Sequence, residues 1–201
     1  MKAALLCTLL CVFPTSVHSR VSVTVAPGWS QFFQFWNVSL GCDHVSSGKW
    51  SVWRYSNVTL KMSQCGSDWG EQTSNACIMK YPKTTDSGVY WCQSISRDSS
   101  NTVNITVTDK KVILESPVLP VMEGDDVTLR CRTEKSSNLP AVFYKDNSSI
   151  HDGQYGHMTI YHFNESHEGA YSCTIGSDKS PHSWLLMKEI KTGRPYQVWP
   201  I

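Results

Sequence analysis

The sequence lacks the features on which membrane-spanning, nucleic-acid-binding and catalytic proteins rely. Its apolar start, Ala3 to Phe13, is eleven residues long, whereas a helix crossing a bilayer core needs about twenty. Beyond Ile190 only Lys191 to Ile201 remain, with Gly193, Arg194 and two prolines, and this segment suits neither a membrane helix nor a lipid-anchor tail. No membrane insertion is expected. No stretch sustains a helical period. Neither sign of charge is in excess, because 18 basic residues face 17 acidic ones. A chain without a basic stripe is not expected to hold nucleic acid. Gly-x-Ser-x-Gly, phosphate-loop and paired-carboxylate motifs are all missing, so no enzyme activity, cofactor or small-molecule substrate is expected.

The N-terminus reads as a signal peptide over residues 1–19. Lys2 supplies the positive end, the apolar stretch follows, and Val17-His18-Ser19 offers a cleavage site of small residues. Its removal takes Lys2, Cys7 and Cys11 and leaves 17 basic against 17 acidic residues and six cysteines. An even number of cysteines in an oxidising compartment is expected to form disulfides. Asn-x-Ser/Thr acceptor sites at Asn37, Asn57, Asn104, Asn147 and Asn164 point to a glycosylated extracellular protein. A secreted product is favoured; a truncated form of a membrane receptor on the cell surface is the other reading.

Strand signals dominate. Val38, Leu40 and Cys42 share one parity, as do Val103, Ile105 and Val107, and again Val127, Leu129 and Cys131. Such alternation marks strands with one buried and one wet face, and Asn37 and Asn104 fall on the outward parity. Glu123-Gly124-Asp125-Asp126 and Lys145-Asp146-Asn147 read as turns. Two domains are expected, 20–108 and 109–191, with a short tail at 192–201. Only four residues separate Val107 from Val112, so the linker restricts the angle between the domains and buries shared surface.

The cysteines carry the fold assignment. Cys42 is followed by Trp53 and by Asp86-Ser87-Gly88-Val89-Tyr90-Trp91-Cys92; Cys131 is followed by Phe143 and by Glu168-Gly169-Ala170-Tyr171-Ser172-Cys173. Two cysteines with a bulky aromatic between them, the second cysteine two places after a tyrosine, form the immunoglobulin-fold signature. The expected fold is all-β, two tandem immunoglobulin-like (C2-type) sandwiches. Cys42–Cys92 and Cys131–Cys173 should bridge the sheets, with Trp53 and Phe143 packed against them and Tyr90 and Tyr171 as tyrosine corners. His167 stands where the first domain has Asp86, which removes an ion-pairing carboxylate and loosens that corner. Cys65 and Cys77 most simply bond to each other and staple the strand-poor stretch from Ser56 to Ser74; the other arrangement is two exposed thiols.

Gly48-Lys49-Trp50-Ser51-Val52-Trp53-Arg54, Gln64-Cys65-Gly66 with Trp69-Gly70, and Cys77 followed by the Asp86–Cys92 element resemble the first domain of Fc receptor-like proteins of lower vertebrates. Glu123-Gly124-Asp125-Asp126-Val127-Thr128-Leu129-Arg130-Cys131 and Phe143-Tyr144-Lys145-Asp146 resemble the second domain of leukocyte Fc receptors. The resemblance implies binding of an immunoglobulin Fc region in the immune response, through loops of the second domain and the interdomain hinge. Mammalian IgG receptors grip a proline between two tryptophans, and at those places this chain has Lys111 and Glu134. A secreted Fc receptor-like protein is the expected function; an immunoregulatory or adhesion receptor ectodomain for another cell-surface protein is the alternative.

The expected ligand contacts are Lys111 at the hinge, Glu134 and Lys135 on the loop Arg132 to Pro140, and Asp178, Lys179, His182 and Trp184 on the loop Gly176 to Trp184. Aromatic residues on such loops are favoured binding anchors. Trp184 has a second reading, in which it opens the last strand and packs into the core with Leu186. His151, His157, His162, His167 and His182 lie in the second domain, but their spacings match no zinc pattern, so solvated positions are expected and no metal.

Overall fold

Alternating side chains sort the strands into inner and outer faces. In a computed structural model, residues 21–43, 49–74, 76–118 and 120–188 are described; the signal peptide expected at 1–19 and the tail expected at 192–201 lie outside them. The first half contains β1 (Ser22–Ala26), β2 (Gln31–Phe33), β3 (Val38–Asp43), β4 (Trp50–Ser56), β5 (Met62–Gln64), β6 (Glu71–Gln72), β7 (Ala76–Met79), β8 (Gly88–Ser94) and β9 (Ser99–Thr108). They form one sheet in the order β1-β3-β7-β6 and a second in the order β2-β9-β8-β4-β5. The inward positions Val38, Leu40, Val103, Ile105 and Val107 are all buried in one core.

The second half repeats the plan with β10 (Ile113–Glu115), β11 (Val127–Arg132), β12 (Ala141–Lys145), β13 (Ser148–Gly153), β14 (His157–Ile160), β15 (Gly169–Ile175), β16 (Asp178–Lys179) and β17 (Ser183–Leu185). Strands β10-β11-β14 make one sheet; β13-β12-β15-β16 make the other, with β17 also paired to β15. Val127, Leu129, Phe143, Tyr171 and Leu185 fill the core between them. The chain is therefore all-β, two immunoglobulin-like sandwiches in tandem.

Disulfides join Cys42 to Cys92, Cys131 to Cys173 and Cys65 to Cys77. Each of the first two clamps one sheet to the other. The third fastens the end of β5 to β7, so the stretch with the least regular structure is held covalently. Gly70 fits against that bond at φ +65°, where a Cβ would sit 2.6 Å from the Cys77 sulfur. Only glycine accepts both the left-handed backbone and the close approach.

The structure corrects the expected place of Trp53. Val52, not Trp53, lies opposite Cys92. Val52 is buried, and Trp53 stands on the outer face opposite Trp91, partly exposed. A shift of one residue along a strand moves a side chain to the other face. The core indole of the first sandwich is Trp69, edge-on to Tyr90 at 5.3 Å and capped by the Arg54 guanidinium at 4.8 Å. In the second sandwich Phe143 does lie opposite Cys173, buried as expected.

Both tyrosine corners form. Tyr90 donates to the Asp86 carbonyl, and Tyr171 donates to the His167 carbonyl at 2.7 Å. Burial pushes each phenol up to about 12. In the first corner the Asp86 carboxylate pairs with Arg54 and accepts from the Lys83 amide at 2.8 Å. His167 has no such pair, yet its corner is also closed. Its Nδ1 accepts from the Asn164 amide at 3.1 Å, and Asn164 accepts from the Ser166 amide at 3.0 Å. The hydrogen-bonded cap is thus common to both corners, and only the ion pair has no counterpart at His167.

The two sandwiches meet side against side. Strand β2 lies against β10. Phe33 and Ile113 are buried there although neither belongs to a sandwich core. Gln31 is fully buried between them: its Nε2 donates to Pro181 O at 3.0 Å and Ser183 Oγ at 2.7 Å, and its Oε1 accepts from the Leu114 amide at 2.9 Å. Ser30 Oγ adds contacts to Ser116 Oγ at 2.7 Å and Ser183 Oγ at 2.8 Å. A buried polar group is tolerable only when its hydrogen bonds are made, and here those bonds specify how the sandwiches sit.

Candidate functional site

Three connections crowd together at one end of the second sandwich. The segment 133–140 follows β11, the turn 154–156 follows β13, and the turn at Gly176-Ser177 follows β15. Gly156 lets the first two nest. It sits at φ +70°, and a Cβ there would come 2.8 Å from Leu139 O and 2.9 Å from Ser137 O. Pro140, Val142, Asp152, Gln154, Thr174 and Gly176 line a shallow depression of about 470 Å³ at this end.

The linker joins the same end. Lys111 Nζ lies 3.8 Å from Asp178 Oδ1, so the hinge lysine and the first residue of β16 are electrostatic partners. Lys111 is largely solvent-facing and Asp178 partly so, and such a pair contributes at most about 1 kcal/mol to stability. It leaves charges of both signs facing solvent at this end. Glu134 and Lys135 are exposed on the neighbouring segment. Lys179 is exposed with its ammonium 5.3 Å from the centre of the Tyr144 ring, on the outer face of the sheet.

The structure divides the expected contact residues into two groups. Lys111, Asp178 and Lys179 lie at the loop end, as do Glu134 and Lys135. Trp184 does not. The turn after β15 closes at Gly176-Ser177, Asp178 already pairs with Ile175, and Trp184 pairs with Ala170 at the far end of β15. The stretch Gly176 to Trp184 is thus a tight turn, the short β16, a three-residue connection and the start of β17, not one long loop. Trp184 is 65% exposed while its neighbours Ser183 and Leu185 are buried, which decides between its two readings: the indole faces solvent. His182 is exposed two residues before it.

Arg132, expected to open a binding loop, is instead tied into the interface. It donates to Glu115 Oε1 at 2.8 Å and stacks its guanidinium 4.8 Å from the centre of the Trp36 ring. Arg130 approaches the same carboxylate at 3.9 Å. Glu115 is buried, so the two arginines compensate a charge that would otherwise be costly. Sequence reading missed Trp36 and Gln31 as interface residues. The only signal was an aromatic-rich segment, Trp29 to Trp36, in which no single period stands out. Among the described residues no group of three or more His, Cys, Asp or Glu side chains is placed to hold a metal ion, and no helix is long and apolar enough to cross a membrane.

Residues 111–187 match the family model described as immunoglobulin domain. Over most of its length the chain is similar to Fc receptors and Fc receptor-like proteins. It is 30% identical over 177 residues to Fc receptor-like protein 5 of Mus musculus, covering 83% of this chain and 28% of that protein. It is 29% identical over 168 residues to low affinity immunoglobulin gamma Fc region receptor II of Bos taurus, covering 82% of this chain and 53% of that one. The chain thus spans about half or less of the length of these relatives. Among solved structures, murine CEACAM1b aligns at 17% identity over 84% of this chain and 100% of its own, with a TM-score of 0.34.

Proposed function

We propose that this chain is an extracellular, glycosylated receptor module that binds the constant region of immunoglobulin through the loop end of its second sandwich. One observation carries the reading, the similarity to immunoglobulin Fc receptors that runs through both sandwiches; the contact of Lys111 with Asp178, which couples the linker to the loop end in a mixed-charge surface, supports it. With a lysine at the hinge and Glu134 on the neighbouring segment, the grip is polar, so affinity falls as salt rises. The three disulfides support folding in an oxidising compartment. All five acceptor asparagines are exposed, which supports glycosylation and release into the medium.

Capture of purified immunoglobulin classes on the immobilised recombinant protein tests the proposal. Retention of at least one class, weakened by Lys111→Glu, is expected. Failure to retain any class overturns the immunoglobulin reading.

Trp184 favours a second reading, an adhesion or immunoregulatory receptor for another cell-surface protein. An indole 65% exposed on β17 is the kind of anchor on which interface energy concentrates, and it lies away from the loop end.

A further inference from the structure

The outer face of the five-stranded sheet in the first sandwich has an uncharged, aromatic region beside a glycan acceptor. The register aligns Asn104, Val89, Tyr55 and Met62 in one row across β9, β8, β4 and β5, with Trp91 and Trp53 side by side in the next row. None of these six residues is charged. Met62 is 62% and Tyr55 39% exposed, and Val89, Trp91 and Trp53 are each partly exposed. A contiguous apolar face of this kind on a soluble domain calls for a cover.

The acceptor stands at one end of the row. Asn104 is exposed and directly opposite Val89. On the other side of Asn104 the same face leads to Thr106, which pairs with Gln31, and Gln31 is buried under the second sandwich. A glycan leaving Asn104 is therefore blocked on one side and has open, apolar sheet on the other. Strands lie about 4.8 Å apart, so Met62, three strands over, is roughly 14 Å away. The first few pyranose rings of an N-linked chain span that distance, and their apolar CH faces stack on aromatic rings.

We propose that the N-glycan carried by Asn104 lies across Val89, Tyr55 and Met62 and covers the Trp53–Trp91 pair beside them. The occupant of this face is thus the chain's own carbohydrate. A face built to dock a protein would not carry a glycan acceptor at the end of its own row, within reach of every residue in it. The proposal rests on the chain being a glycoprotein, and the test separates the two claims.

Protein from mammalian cells is first mapped for glycopeptides, then footprinted with hydroxyl radicals read out at Tyr55, Met62, Trp53 and Trp91. With Asn104 occupied, Asn104→Gln should raise labelling of Tyr55 and Met62 roughly twofold or more, whereas Asn147→Gln, in the second sandwich, leaves it unchanged. Circular dichroism and the elution volume confirm that both variants fold. No glycan at any acceptor removes the glycoprotein reading and this proposal with it. Glycans elsewhere but none at Asn104 overturn this proposal alone. Equal labelling with and without an occupied Asn104 shows that the glycan points away and overturns it. So does protection that persists in Asn104→Gln together with a doubled mass at high concentration, which gives the face to a second copy.

Discussion

Gln31 Nε2 donates to Ser183 Oγ at 2.7 Å across the boundary between the two sandwiches, with both residues buried. Strand β2 of one half is thereby fixed to the start of β17 of the other. Since Gln31 also receives the Leu114 amide and donates to Pro181 O, one side chain holds two segments of the second sandwich, β10 and the stretch that enters β17. The loop end and the linker lysine are presented at an angle this contact maintains.

Gln31→Leu should therefore loosen the pair of sandwiches without unfolding either. It strands the Leu114 amide in a buried site, which costs about 1–3 kcal/mol, while the Pro181 carbonyl keeps its bond from Ser180 Oγ. A lower melting temperature and a larger radius of gyration by X-ray scattering are expected. An unchanged radius with an unchanged melting temperature would show that the contact does not hold the angle.

The staple from Cys65 to Cys77 closes a loop of 12 residues, for which chain-entropy estimates give roughly 3 kcal/mol. Replacing both cysteines with alanine should lower the melting temperature and free the segment 60–74 to exchange amide hydrogens faster. Gly70→Ala should produce part of the same effect with the bond intact, because its Cβ would meet both sulfurs, at 2.6 and 3.0 Å. Hydrogen exchange read by peptide checks both.

How much of this was legible in the sequence depends on periodicity. Wherever buried and wet residues alternate, as from Val103 to Val107 or Val127 to Cys131, the strand and its faces could be read directly. Tyr90 and Tyr171 follow from their fixed distance to a cysteine. Trp53 was misplaced because a position counted from Cys42 does not fix the register against β8, and one residue of error exchanges inside for outside. Trp69 fills that core from a segment with no period at all. The polar side chains that join the halves were invisible for a different reason. Gln and Ser are ordinarily surface residues, so nothing local distinguishes Gln31, Ser116 and Ser183, all buried, from exposed ones. Among the expected contact residues, those of the loop end gathered together, while Trp184 moved away because a strand could form where a long loop was expected.

Alkaline pH should destabilise the fold through the two corner tyrosines. Burial raises each phenol to about 12 in the folded protein, while an unfolded tyrosine titrates near 10. Each group favours the folded state fully below pH 10, and that contribution is lost as pH rises from 10 through 12. A plot of melting temperature against pH should turn downward in this window. Tyr90→Phe, less stable at neutral pH because the bond to Asp86 is gone, should show a shallower decline. An equal slope in the variant would place the alkaline sensitivity elsewhere.

The last prediction separates the two surfaces of the second sandwich. Trp184 is largely exposed and Lys111 makes only a solvent-facing ion pair, so Trp184→Ala and Lys111→Glu should each change stability by no more than about 0.5 kcal/mol. Any change in binding then reports on contact and not on folding. Lys111→Glu reverses the charge beside Asp178 and puts two carboxylates where a partner met an ion pair. It should weaken capture of immunoglobulin severalfold and flatten the dependence on salt, since a steering charge has been removed. Trp184→Ala should leave that capture within about twofold of the unsubstituted protein, because β17 pairs with the end of β15 remote from Gly176 and an anchor outside the contact contributes little. The opposite pattern, capture lost with Trp184→Ala and retained with Lys111→Glu, would move the binding surface from the loop end to the sheet face.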